Sequence, residues 1–272
     1  MKVRYPNFDF ATAKAHWAPC IEFAQRANAS SIIPSYVEPY LVKVMLKARP
    51  HIRPSETALD QDVVVFCKQE AQHNKQHNVF NAQLRAQGYE GLLAIEQALE
   101  ADLNRFLETK SLKFNVAYAE GFEALGALGA EMWFNCYRDY LDGADKDVVA
   151  MWQWHMAEEY EHREVAFNVF HELYGRKNVF DAWIYRVGVF IFTARHLLGF
   201  GDRAAELLLA IDREKMTDEE RQASFAREQA FKKKMARTAI PELIKVLSPF
   251  YQPRTRKAPA GWQDYLKGYE AA

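Results

Sequence analysis

Apolar positions recur three and four residues apart through most of the chain, and no stretch alternates with the period of two that a half-buried strand requires. The pattern predicts helices throughout, an all-α fold. An irregular lead-in and a short helix around Ile21 to Ala27 come first. Ser30 and Ser31 then precede IIPSYVEPYLVKVMLKA, the expected first bundle helix, ending near Ala48 before Pro50 and Pro54. Ser55 is the expected N-cap of a long helix from about Glu56 to Gln87, which Gly88 stops. A crossover helix is expected over residues 90 to 108, a third long helix from Ser111 to about Leu141, and a fourth from Asp145 to Tyr174, closed by Gly175. Further helices are expected at about 178 to 198 and 202 to 213. Another opens on a capping box of Thr217 and Glu220, a short one lies between Pro241 and Pro249, and the aromatic segment GWQDYLKGY ends the chain. We expect one domain, with a four-helix bundle over residues 30–175 and a helical appendix over 176–272.

Polar residues interrupt the apolar faces of the long helices in a definite pattern. Residues three and four apart share a helix face, so His155, Glu159 and His162 project side by side, and Glu70 with His73 repeats the Glu-x-x-His core. Glu70 lies about 14 residues from the start of its helix and Glu159 about 15 from the end of its own. Antiparallel packing therefore brings both to roughly 21 to 22 Å from one end. Two such turns at one level, with a glutamate from each remaining helix, form a dinuclear carboxylate centre in a bundle with one long crossover. Glu38 and Glu120 are the expected extra carboxylates. The plain alternative, surface acids and core histidines, leaves many ionisable groups buried with nothing to pair them. His155 and His77 each lie one turn from a motif residue and are either ligands or hydrogen-bonded neighbours of ligands. Glu158 or Glu161 either orients a ligand or faces solvent, and Cys67 reads as packing.

The segments Phe66-x-x-Gln69-Glu70-x-x-His73-x-x-x-His77 and Trp154-His155-x-x-Glu158-Glu159-x-Glu161-His162-x-x-Val165-Ala166-Phe167 resemble a bacterial family described as predicted metal-dependent hydrolases, of ferritin-like type. The likeness covers about residues 16 to 200. It implies a ferritin-like four-helix bundle with Glu38, Glu70, His73, Glu120, Glu159 and His162 as ligands. The His-x-x-x-Glu-x-x-His face also resembles the p-aminobenzoate N-oxygenases, di-iron enzymes with a third histidine ligand, which implies that role for His155. The chain departs from the family at Val37, where a glycine is expected before Glu38, and at Pro39 after it.

Composition narrows the partners. With 35 Lys and Arg against 36 Asp and Glu, the net charge of -1 lacks the basic footprint of general nucleic-acid binding. Cys20, Cys67 and Cys136 are scattered and suggest reduced thiols, and no signal peptide is evident, so a cytoplasmic location is expected. The most apolar stretch, Trp183 to Leu198, is broken by Arg186, Arg195 and His196, so no integral membrane segment is expected. The basic run Lys232 to Lys234 with Arg237 either attracts an acidic partner or forms a solvated helix face. Carboxylate and imidazole ligands suit two transition-metal ions, iron foremost, with manganese or a mixed pair as alternatives. The expected function is oxidation or oxygenation of a small molecule, with dioxygen and an electron donor as partners. Metal-dependent hydrolysis and non-catalytic metal storage are the alternatives, and a homodimer is the assembly to test. The apolar appendix is expected to cover a substrate pocket walled by Phe114, Phe122, Trp133, Phe190 or Phe192.

Overall fold

A computed structural model describes residues 1–269. Its long helices are α1 (Ile21–Ala48), α2 (Thr57–Ala86), α3 (Leu92–Thr109), α4 (Leu112–Cys136), α6 (Lys146–His162), α8 (Val179–Arg213) and α9 (Asp218–Val246). The short α5 (Arg138–Leu141) and α7 (Val165–Phe170) lie between them, and the described residues contain no β-sheet.

Side-chain pairs fix the directions of the bundle helices. Gln69 meets Glu161, His73 meets Glu158 and His77 meets His155, so α2 and α6 run antiparallel. Ser31 meets Asn81, and Arg49 meets Asp60, so α1 and α2 are also antiparallel. Between α2 and α4 the chain forms α3, an 18-residue helix where one is expected from the sequence over residues 90 to 108.

Local chemistry explains the starts. Ser111 accepts from Phe114 N (3.2 Å) to cap α4, and Asp145 accepts from Asp147 N and Val148 N to cap α6. Thr217 and Glu220 form the expected capping box of α9. Five boundaries differ from expectation. The short helix at Ile21 and the first bundle helix are one continuous α1 with Pro34 and Pro39 inside it, because tertiary packing outweighs the hydrogen bonds the prolines remove. The two helices expected between 178 and 213 are likewise the single α8, and α9 runs through Pro241 to Val246. The third and fourth long helices are each interrupted, at Tyr137 and after His162. At the second break, the Arg163 guanidinium donates back to Tyr160 O of α6 and across to Pro253 O.

The lead-in is ordered against the bundle. Gln69 Nε2 donates to Lys2 O (2.9 Å), Gln76 Nε2 to Pro6 O (2.9 Å), and Tyr5 N to Tyr269 O (2.8 Å), which ties both ends of the described chain beside α2 and α6.

Candidate metal centre

Two groups of buried donors meet at the middle of the bundle. Glu38 (α1), His73 (α2), His155 and Glu159 (α6) form one, and Glu70 (α2), Glu159 and His162 (α6) the other, the donor atoms within each lying within 4.8 Å of one another. Glu159 belongs to both. His155 Nε2 lies 3.3 Å from Glu38 and 3.1 Å from Glu159, while His162 Nε2 lies 3.1 Å from Glu70 and 3.4 Å from Glu123 of α4. His73 Nδ1 sits centrally, 3.7 Å from Glu38, 3.8 Å from Glu159 and 3.9 Å from Glu70.

Each imidazole is held from behind through its other nitrogen. His73 Nε2 meets Glu158 at 2.9 Å, and Arg4 Nη1 from the lead-in meets Glu158 at 2.8 Å and Glu161 at 2.9 Å. His162 Nδ1 faces Gln69 Oε1 (3.2 Å), whose amide nitrogen is spent on Glu161 and Lys2 O. An amide oxygen can accept but not donate, so the proton stays on Nδ1 and Nε2 presents a lone pair inward. His155 Nδ1 meets His77 Nε2 (2.6 Å), His77 Nδ1 meets Ser31 Oγ (2.7 Å), and Ser31 donates to Asn81 Oδ1 (2.7 Å). Asn81 in turn donates to Ser31 O and Ser35 Oγ. Every acceptor in this chain is filled when His155 donates from Nδ1, which leaves its Nε2 for the centre. His77 is therefore the support of His155, not a member of either donor group.

The donor set fits metal ions. Both oxygens of Glu38, Glu70 and Glu123, Glu159 Oε2, His73 Nδ1 and His162 Nε2 are buried with no hydrogen-bond partner among the described residues. Orphaned polar atoms in that number are costly unless a cation satisfies them. Burial raises Glu70 and Glu123 well above the usual carboxylate range, and neighbouring carboxylates push them further. Burial acts in the same sense on Glu159, but the imidazoles of His155 and His162 outweigh it and hold its carboxyl at about 2. For His155, burial disfavours the charged ring, yet Glu159 and Glu38 raise it to about 9. The cluster is short of positive charge, which bound metal cations would supply.

Gly126 of α4 makes room for this arrangement. A Cβ at that position would overlap Glu159 Oε2, whereas at Gly129 the nearest atom to a Cβ is Met156 Sδ at 3.5 Å. The small-residue run thus admits the Glu159 carboxylate at its first glycine.

A cavity of about 410 Å³ reaches His155 and Glu159 from between α8 and α9. Phe23, Phe122, Met132, Trp133, Met156 and Phe231 supply much of its wall, so its surface is predominantly apolar. Of the expected wall residues, Phe122 and Trp133 line it. Phe114 and Phe192 pack against Phe106 instead, and Phe190 sits in a separate core with Phe167 and Val246.

Glu120, expected as the α4 ligand, is elsewhere. Its Oε1 accepts from Arg186 Nη1 of α8 at 3.0 Å, and Arg186 also donates to Val246 O, so the pair fastens α4, α8 and α9. Glu123, one turn further on, takes the place at His162. The signal for this exchange was present: an arginine inside the apolar stretch at Trp183 to Leu198 requires a buried acid. Glu158 meets His73 and Glu161 accepts from Arg4 and Gln69, and burial of Cys67 raises its thiol to about 11, in keeping with packing. Arg4 and Asn81 carry no chemical signature in the sequence.

A family model described as "Predicted metal-dependent hydrolase" matches residues 2–257, a span that includes the lead-in and α9 as well as the bundle. No curated protein matches the chain, and no solved structure does.

Proposed function

This chain belongs to the family of predicted metal-dependent hydrolases, and we propose that it is a dinuclear metal enzyme oxidising a small apolar molecule with dioxygen. The observation that carries the reading is the junction of the Glu and His cluster with an apolar cavity at His155 and Glu159. Glu38, Glu70, Glu123, Glu159, His73, His155 and His162 are the proposed ligands, with Glu159 shared. Iron or manganese bound there would supply electrons to dioxygen. Oxygenation puts one oxygen atom into the substrate and reduces the other to water, consuming two electrons and two protons from an external reductant.

The protein's part is positioning and exclusion of water. Trp152 stacks parallel to His155 (5.9 Å, 7°), Trp154 stands edge-on to His73 (4.8 Å), and Phe66 edge-on to His162 (5.0 Å). These rings fix the imidazoles and keep the donor groups dry, which strengthens every electrostatic interaction inside. Phe122, Met132 and Met156 offer a substrate dispersion contacts and few hydrogen bonds.

Hydrolysis is the second reading, and the family description supports it better than it supports oxidation. Two ions can activate water and steady a leaving oxygen at the same ligands.

Two results are expected. Protein loaded anaerobically with ferrous iron should retain two ions per chain by elemental analysis, and His162→Ala should retain fewer. A single zinc, or full loading of the variant, counts against the centre. In a stopped-flow spectrometer the ferrous protein should then react with dioxygen rapidly and develop a transient visible absorption that His162→Ala lacks. A zinc-loaded protein that hydrolyses esters or amides and is indifferent to oxygen would decide for hydrolysis, and oxidation of many irons per chain for storage.

A further inference from the structure

The cavity opens where α8 and α9 part. Leu198, Gly201 and Asp202 line it from α8, and Ala236, Ala239 and Leu243 from α9, with Leu198, Asp202 and Ala236 exposed. The two helices are fastened at both ends. Trp183 Nε1 donates to Leu247 O (3.0 Å) and Arg186 Nη2 to Val246 O (2.6 Å), while Arg213 pairs with Glu228 at 2.7 Å. These pairs make the helices antiparallel, so Ile184 and Ile191 of α8 lie toward the same end of the pair as Ile240 and Ile244 of α9.

These side chains form a strip rather than a scatter. Ile184, Ile191 and Leu198 recur every seven residues, a spacing that returns to within about 20° of one direction on a helix. They are 51%, 45% and 54% exposed, and Ile240 and Ile244 are 53% and 61% exposed. Isolated exposed aliphatics are ordinary, but five recurring along two neighbouring helices, one of which, Leu198, lines the cavity mouth, are an interaction surface. Cations share the faces. Lys233 and Arg237 precede Ile240 and Ile244 by seven residues each, Arg195 follows Ile191 by four, and all three are exposed with no ion pair among the described residues. Asp202, the carboxylate at the mouth, is paired with Arg26 at 3.0 Å.

The geometry points to a peripheral docking face for an anionic phospholipid bilayer, with the cavity mouth turned toward the lipid. Exposed aliphatics enter the acyl boundary while flanking cations meet lipid phosphates. No helix among the described residues is long and apolar enough to cross a membrane, so the association lies on the surface. A second copy is the less suitable occupant. A two-fold contact over this strip would seal the mouth and set a face bearing Arg195, Lys233 and Arg237 against its own copy. Docking itself is independent of the reaction; the lipid-dissolved substrate it implies rests on the function proposed above.

The test is flotation of the full chain with vesicles of phosphatidylcholine alone or of equal parts phosphatidylcholine and phosphatidylglycerol. Recovery with the anionic vesicles should be about tenfold higher and should fall at high salt. Leu198→Ser with Ile240→Ser and Ile244→Ser should lose flotation, as should Lys233→Glu with Arg237→Glu, each keeping the parent's melting temperature and metal content. Equal recovery with both vesicle types overturns the proposal, as does flotation unaffected by either set of substitutions. A dimer in sedimentation that the serine variant dissociates, with no flotation of the parent, assigns the strip to a second copy instead. Flotation of a parent that binds no metal leaves docking standing and removes the metal reading.

Discussion

Gly126→Ala is expected to abolish metal binding while Gly129→Ala, one turn along the same helix, is tolerated. The added methyl at residue 126 would occupy the position of Glu159 Oε2, and Glu159 belongs to both donor groups, so displacing it empties both. At residue 129 the methyl meets Met156 Sδ at ordinary contact distance. Helix propensity alone favours alanine over glycine by about 1 kcal/mol at either site. The two variants should therefore diverge: Gly129→Ala melts at or above the parent with its metal intact, and Gly126→Ala binds little metal however well the apoprotein folds. Elemental analysis and calorimetry on the pair check this. A Gly126→Ala protein with the parent's metal content would mean that Glu159 is not a ligand.

Arg4→Met should be the most damaging substitution outside the donor groups. Glu158 is wholly buried, and burial raises its carboxyl to about 7 even with Arg4 opposing it at 2.8 Å. Without that guanidinium the carboxyl keeps a proton at neutral pH. It then donates to His73 Nε2 instead of accepting, which moves the imidazole proton to Nδ1, the nitrogen that faces the centre. Removing one partner of a buried ion pair costs about 3–5 kcal/mol. Loss of a hydrogen-bonded support for a ligand lowers metal affinity about 10- to 100-fold. Both losses are measurable, by denaturant titration of the apoprotein and by competition with a chelator. Unchanged metal affinity in Arg4→Met would detach Glu158 from the orientation of His73.

The parts of the centre that could be read from sequence are those fixed by whole turns. His155, Glu159 and His162 share a face wherever their helix begins, and the meeting of Glu70 with the α6 donors needed only two helix lengths and an antiparallel arrangement. The choice between Glu120 and Glu123 needed more. Three residues displace a side chain by about 60° around the axis and about 4.5 Å along it, less than the uncertainty of a helix boundary. Arg186, far along the chain, settles it by claiming Glu120. Ser31 was misread for a different reason. Serines before an apolar run look like a helix start, but packing extends α1 back to Ile21 and turns Ser31 into the support of His77. Arg4 was illegible because a tertiary ion pair across the bundle has no local pattern.

Glu159, shared between the donor groups, gives metal uptake a particular order. An ion entering beside Glu38, His73 and His155 fixes that carboxylate in place, and the neighbouring vacancy inherits a ligand whose conformational freedom has already been removed. The second ion should consequently enter more readily than the first. Under limiting metal the population should divide into empty and doubly filled molecules, with few carrying one ion, and native mass spectrometry would resolve the two as separate peaks.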